Sequence, residues 1–584
     1  MSRKNIPAQT PIPSGKKFDA IVVGSGISGG WSAKELCEKG LNVLLLERGR
    51  MIEHVTDYHT ATMNPWDFPH HNLEMPTDLL KQYPVQNRTG FTITEATHQH
   101  FVNDLENPYV EEKPFDWIRG YHVGGKSLMW GRYSFRFSDL DFEANAKEGI
   151  ATDWPIRYKD IAPWYDYVEK FAGIAGDRDG LPHLPDGQFQ PAMPDNCVEA
   201  HFRQTVNEQF GDRKVISARA AHLTAPTQEQ MNLGRAKCQY RNLCMRGCPY
   251  GAYFSTQSAT LPAARRTKRL TVRPHSIVNS IIYDENTASS TFGRATGVRV
   301  IDEQTHEWHE FHASVIFLNA SALGSTYILM NSKSKRFPNG MDDSGQLGRN
   351  LMDHHFHVGA TADYDHDLDK YYYGRHPAGL YIPRFRNLPD QHNQAFTRGY
   401  GFEVYTNREN WDHARQEDGF GADFKEKATQ FGTWKITLDA FGECLPYEDN
   451  RVHLTNEVTD KWGQPVLKMD VHYRENETLM RKDAKEQAVL MLEKAGFSSI
   501  NGFDKQAHPG LSIHEMGTAR MGTSPKNSVF NKFNQHHVVK NVFCTDGATM
   551  TSSPCQNPSL TYMALSARAA DYAVKALKRG DLPR

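Results

Sequence analysis

The segment that most narrows what this chain can fold into lies close to its N-terminus. Residues Phe18 to Val23 are an apolar, β-branched run, and Gly24-Ser25-Gly26-Ile27-Ser28-Gly29-Gly30 follows directly. A stretch of helical character, Trp31 to Lys39, leads to a second apolar run, Asn42 to Leu46, which ends in Glu47-Arg48-Gly49. Strand, glycine turn, helix and strand, with an acid about twenty positions on, make the dinucleotide-binding βαβ unit. Gly24 permits the tight turn, Gly26 lets the backbone approach a pyrophosphate, and Gly29 lets the helix sit close to the sheet. The pyrophosphate would rest on the free N–H groups of the helix N-terminus. Glu47 would accept hydrogen bonds from a ribose diol. FAD and NAD both satisfy this pattern.

At 584 residues the chain exceeds what one hydrophobic core supports, so two intimately joined domains are expected. Its formal net charge of −2 exerts no long-range pull on nucleic acid or anionic lipid, and no nucleic-acid partner is expected. No apolar run reaches the ~20 residues of a membrane-spanning helix. Residues 1–16 are polar and proline-containing, without the apolar core of an export signal, and read as a flexible tail. Such a chain is expected in the cytoplasm, or exported in the company of a signal-bearing partner.

Three of the eight cysteines, Cys238, Cys244 and Cys248, fall within eleven residues. Clustered cysteines in a chain without a secretory signal point to a metal rather than to disulfides. The run holds neither a fourth cysteine nor a histidine to close a zinc site. Three thiolates followed by Pro and Gly suit an iron–sulfur cluster; the plainer alternative is three unrelated thiols on a loop. Cys37, Cys197, Cys444, Cys544 and Cys555 read as ordinary buried thiols.

Further along, His54 to His100 is rich in Pro, His, Thr and Asn and reads as a long excursion over a surface or site. In Val123-Gly124-Gly125-Lys126-Ser127-Leu128-Met129 the glycines allow backbone to approach a planar ligand. A helix is expected through Trp164 to Phe171, strands over Arg269–Ile282 and Ser314–Leu318, and a helix over Arg474–Ala495. Residues 358–405 and 430–475 alternate as strands of a largely antiparallel sheet. Near the C-terminus, His514-Glu-Met-Gly517-Thr518-Ala-Arg520-Met521-Gly522 is followed by the Asp546-Gly547-Ala548 turn. Asn557-Pro558 then opens the last helix, where a proline's missing N–H is no loss. A histidine that titrates near neutral pH can take an alcohol's hydroxyl proton, and an asparagine can hold its oxygen.

Taken together, Gly24-Ser-Gly26-Ile-Ser-Gly29, Val123-Gly124-Gly125, Gly345-Gln-Leu-Gly348-Arg349-Asn350-Leu351-Met-Asp-His354, the His514 motif and Asn557-Pro558 resemble the glucose–methanol–choline (GMC) flavoprotein oxidoreductases, over nearly the whole chain and in the same order. The resemblance implies an α/β fold, with a Rossmann-type FAD-binding domain joined to an antiparallel-sheet substrate domain. It divides the chain into the 1–16 tail, a first FAD-binding part over 17–160 with the 54–100 excursion, and a substrate and cluster-bearing region over 161–260. A second FAD-binding part over 261–355, the substrate sheet over 356–505 and a C-terminal catalytic and FAD-binding segment over 506–584 complete it. His514 would be the catalytic base and Asn557 its partner. Gly24, Gly26, Gly29, Glu47, Arg48, Gly124, Gly125, Ser127, Met129, Val278, Asp546, Gly547, Pro558 and Thr561 would hold FAD. Some relatives tether the flavin through a histidine at the place of Met129, so non-covalent FAD is expected here.

The cysteine spacing resembles the dehydrogenase branch that carries a [3Fe–4S] cluster on Cys-x5-Cys-x3-Cys. That branch passes electrons to a c-type cytochrome and often crosses into the periplasm with a small signal-bearing subunit. The whole-chain impression is nearest the glucoside 3-dehydrogenase type, which oxidises the C3 hydroxyl of glucose and glucosides. C1 oxidation of glucose, C2 oxidation of gluconate and an oxygen-using sugar oxidase without a cluster are the rivals. Tyr371-Tyr-Tyr373, Trp434, Glu443 and Tyr447 are aromatic and polar groups suited to a sugar.

Overall fold

The computed structural model describes residues 17–582 apart from 73–74, 90–92, 371–377, 390–393, 410–412 and 415–416. The 1–16 tail and Tyr371–Tyr373 therefore lie outside the described residues.

Strand Phe18–Val23 sits in the middle of a seven-stranded sheet, parallel to Val43–Leu46 on one side and to Trp308–Leu318 on the other. Leu270–Arg273 and Val542–Cys544 extend the parallel part. Both faces of the central strands are covered, which is why their sequences are continuous apolar runs rather than alternating ones. Val23 is in register with both Leu46 and Leu318, so the strand ends meet at the Gly24 turn. The helix after that turn spans Ile27–Glu38, beginning four residues before the expected Trp31. It packs against the last helix, Ser559–Arg579. Ala564, Ala567, Ala570 and Ala573 are buried along that helix, their small side chains allowing close approach. The two ends of the chain are thereby brought to one place.

The second sheet has six strands in the order Ser498–Asp504, Val358–Tyr364, Trp434–Gly442, Tyr400–Arg408, Leu380–Ile382 and Ile216–Ser217, antiparallel throughout. Helix Glu475–Lys494 buries Met480, Ala484, Ala488 and Met491 in the core that this sheet shares with Val358, Phe402 and Leu438. The whole is the expected α/β architecture, a mixed sheet with a parallel centre joined to an antiparallel sheet.

Two expectations need correction. The run Arg269–Ile282 is two strands, Leu270–Arg273 and Ser276–Tyr283, interrupted at Pro274, which has no N–H for a ladder. The alternating stretch 430–475 is not all in one sheet with 358–405. Arg451–Thr459 and Pro465–Asp470 form a hairpin that pairs with Val110–Glu111 in a separate three-stranded sheet. Alternation identifies a strand locally; its partner is chosen by packing. The described residues of the 54–100 excursion form turns and short helices, and part of them packs against the cysteine loop. Arg246 Nη1 donates to Met63 O at 2.8 Å, and the ring of Tyr58 lies against Gly247.

Candidate active site

One cavity of about 530 Å³ joins the glycine turn to the antiparallel sheet. Its walls include Gly24, Gly26, Glu47, Arg48, Gly125, Ser127, Met129, Val278, His514, Asp546, Gly547 and Asn557, gathered from every part of the chain.

At the turn, Gly24 has φ +88°, and an added Cβ would lie 2.3 Å from Asn319 O; an added Cβ on Gly29 would lie 1.8 Å from Gly24 O. Both glycines are required by close packing of backbone on backbone. Gly26 is different: a Cβ there would meet nothing within 4 Å. The space beside it belongs to the cavity. The helix behind it has no side-chain cap and no acidic residue in its first turn, so its N–H groups and dipole are open to an anion.

Glu47 Oε2 accepts from Ser25 N at 3.1 Å and Ser25 Oγ at 2.5 Å, and Oε1 accepts from Gly49 N at 3.0 Å. The acid thus braces the turn and keeps acceptor capacity on Oε1. Burial raises its pKa despite those bonds. Asp546 is held by Ser325 Oγ at 2.6 Å and Ala548 N at 3.0 Å, and burial lifts its pKa to about 6. Asn319 Oδ1, Arg48 Nε and Tyr562 Oη are buried polar atoms without a hydrogen-bond partner, all on residues lining the cavity. A dinucleotide has the hydroxyls, phosphates and ring nitrogens to satisfy such atoms, and the residues present fit FAD.

Four expected cofactor residues stand behind the cavity wall. Gly29 packs helix on turn, as above. Gly124 takes φ +93° under the side chain of Gln257. Pro558 caps the last helix, and Thr561 Oγ1 bonds Tyr165 Oη at 2.7 Å in the core. These support the site from outside rather than line it.

At the other end, His514 and Asn557 reach the same cavity. His514 N donates to Asp353 Oδ1 at 3.0 Å, and its Nδ1 lies 3.0 Å from Nδ1 of His354. Burial, then His354, then the ammonium of Lys126 hold the His514 pKa well below the usual histidine value, so its ring is neutral at pH 7. Lys126 pairs with Glu515 at 3.0 Å on the same wall. Asn557 Nδ2 donates to Glu403 Oε1 at 3.0 Å. The other carboxyl oxygen of Glu403 accepts from Tyr405 Oη. Glu403 is buried, and burial raises its pKa to about 7. Asp439 stands directly opposite it on the neighbouring strand, also buried and also held well above the ordinary carboxyl range.

Glu403 and the pairing role of His354 are absent from the motifs read in the sequence. The signal for Glu403 was a charged residue inside the apolar strand run Tyr400-Gly-Phe-Glu-Val-Tyr405. His354 ended a recognised motif without an assigned task. Of the sugar-suited residues, Trp434 and Tyr447 do not line the cavity, and Glu443 is buried with its carboxylate on Arg398 at 2.7 Å.

Cys238, Cys244 and Cys248 share one loop, with Cys238 and Cys248 packed in a small cluster with Met193 and Ala252. Burial is the main cause that raises the pKa of Cys238 and of Cys244, the latter to about 11, and each also feels neighbouring thiols of the run. Among the described residues, however, no three His, Cys, Asp or Glu side chains are gathered as a metal-holding group. The expected ligand set is not assembled among the described residues. No helix among the described residues is long and apolar enough to cross a membrane.

The chain is similar to known proteins over nearly its whole length. The chain is 27% identical to a 2-methyl-1,2-propanediol dehydrogenase of Mycolicibacterium austroafricanum, over 96% of this chain and 95% of that one. It is 26% identical to the fructose dehydrogenase large subunit of Gluconobacter japonicus, over 96% and 98%. With the gluconate 2-dehydrogenase flavoprotein of Pantoea cypripedii it shares 23% identity, over 95% and 94%. Among solved structures, the formate oxidase of Aspergillus oryzae RIB40 superposes with a TM-score of 0.59 at 14% identity, covering 97% of this chain and 99% of that one. Residues 18–356 match the N-terminal and residues 446–566 the C-terminal family model of the GMC oxidoreductases. The chain belongs to that family, as an FAD-dependent oxidoreductase acting on alcohol groups.

Proposed function

We propose that this enzyme oxidises a secondary hydroxyl of a sugar or glycoside, with C3 of glucose and glucosides, giving 3-keto sugars, as the preferred position. The observation that carries the reading is the convergence of a neutral His514 and a Glu403-anchored Asn557 on the cavity that contains the dinucleotide turn. His514 takes the hydroxyl proton, a contribution worth roughly 10²–10⁴-fold. Asn557 has one amide hydrogen engaged by Glu403 and offers the other to the alcohol oxygen. When bound, FAD supplies the isoalloxazine ring that accepts the carbinol hydrogen as hydride. Met129, whose thioether lines the cavity, supports non-covalent binding.

The sugar is supported by relatives named for fructose and gluconate. The relative named for 2-methyl-1,2-propanediol makes a small diol the second substrate class to test. A [3Fe–4S] cluster on Cys238, Cys244 and Cys248, a c-type cytochrome as acceptor, a small signal-bearing subunit and a periplasmic location rest on the cysteine spacing and the family resemblance. They draw no support from the arrangement of the thiols.

Anaerobic bleaching of the bound flavin by methyl glucoside, glucose, gluconate and 2-methyl-1,2-propanediol, with NMR of the product, tests the substrate. A 3-keto product from the glucoside is expected; bleaching by the diol alone overturns the sugar reading. Iron and sulfide per flavin, with an EPR spectrum, test the acceptor side. Flavin without iron, together with peroxide formation, favours the oxidase.

A further inference from the structure

Two imidazoles that meet nitrogen to nitrogen must agree on which one holds the proton. His354 Nδ1 and His514 Nδ1 are 3.0 Å apart. On the far side of its ring, His354 Nε2 lies 2.8 Å from the carbonyl oxygen of Pro554. A carbonyl oxygen only accepts, so Nε2 of His354 must be N–H. His354 is fully buried, with no carboxylate in salt-bridge contact with its ring among the described residues, and a second proton would place an uncompensated cation there. Burial, only partly offset by the backbone carbonyls around its ring, brings the His354 pKa to about 4. His354 is therefore neutral, its Nδ1 is a lone pair, and the hydrogen between the rings belongs to His514 Nδ1.

From this chain of bonds we infer that His354, oriented by the Pro554 carbonyl, is a positioning residue that locks His514 in the tautomer with its proton on Nδ1 and its lone pair on Nε2. This rests on the reading of His514 as the base, and it says which atom of that ring is basic. A histidine left to choose would spend part of its time with Nε2 protonated and unable to accept the substrate proton. The backbone around the pair supports the arrangement. Asp353 binds Ser512 Oγ and the N–H groups of Gly510 at 2.7 Å and His514 at 3.0 Å, and Ser512 Oγ accepts from His354 N at 3.2 Å. The segment that carries one histidine is thus tied to the loop that carries the other. Lys126, itself paired with Glu515, and Asp353 are charged groups beside His514.

Two substitutions separate orientation from packing. In His354→Asn the amide oxygen takes the place of Nδ1 and still accepts from His514. In His354→Gln the amide reaches the place of Nε2, keeps the Pro554 bond and leaves His514 Nδ1–H without its acceptor. The His354→Gln enzyme should lose about 100-fold in the rate of flavin bleaching, within the range of general-base assistance. His354→Asn should stay within about tenfold of the parent, and KM should move little in either. Equal losses in both variants, with flavin content unchanged, overturn the proposal. A second readout does not depend on turnover. In the flavin-loaded enzyme labelled with [15N]histidine, the signals that vanish in His514→Gln should show a protonated Nδ1 and an unprotonated Nε2. The opposite pattern overturns the tautomer assignment. Full activity in His514→Gln would instead overturn the base reading, whichever tautomer the spectrum reports.

Discussion

The side-chain amide of Asn557 donates to Glu403 at 3.0 Å, joining the start of the last helix to the middle of the antiparallel sheet. Glu403 accepts from Asn557 on one oxygen and from Tyr405 on the other, and the carboxylate is the stronger acceptor for both. Its pKa is raised to about 7 by burial, beside Asp439, Tyr405 and Tyr133. The grip on Asn557 should therefore tighten as pH rises through about 7. The profile of kcat/KM should contain a rising limb there, and Glu403→Gln should abolish it. The same limb in the variant would remove Glu403 from the account.

The same carboxyl bears on stability. Its pKa is about 7 in the fold against 4.5 for the ordinary group. Being raised, it lends stability that is present below about 4.5 and is lost as pH climbs through about 7. Between pH 5 and pH 8, Glu403→Gln should gain about 2.5 kcal/mol relative to the parent, since the variant has nothing to ionise. Urea unfolding of both proteins at the two pH values checks this. A constant difference between them would mean that Glu403 ionises normally.

His514→Ala should keep its yellow flavin and lose roughly 10²–10⁴-fold in substrate-dependent bleaching. Stopped-flow absorbance under nitrogen separates the two properties. Retained turnover would mean that another group takes the proton.

Two glycines three residues apart should fail differently. Gly29→Ala places a methyl group 1.8 Å from Gly24 O and should destabilise the fold by roughly 1–3 kcal/mol or more. Gly26→Ala places its methyl in open space. It should fold with an unchanged apoprotein melting temperature and bind FAD more weakly. Thermal melts with and without added FAD distinguish them; equal apoprotein losses would contradict the assignment of that space to the cofactor.

What the amino-acid sequence determined by itself is local and periodic. The apolar run at Phe18–Val23, the Gly24 turn and the acid at Glu47 announce a βαβ unit because each residue type is demanded by its own backbone position. The long helix Glu475–Lys494 was visible for the same reason. The tertiary structure alone decided which distant residues meet. Helix Ser559–Arg579 packs on helix Ile27–Glu38 and brings Asn557 to the dinucleotide turn. Sheet register places Glu403 against Asn557 and opposite Asp439; the charge inside an apolar run marked Glu403 as unusual but did not say which residues it meets. The partner of the 451–470 hairpin was hidden too, because Val110–Glu111 is too short to have a period. Tautomers and shifted pKa values belong to this second kind of information. They depend on burial and on the nearest polar atom, and both are set only when the chain has closed on itself.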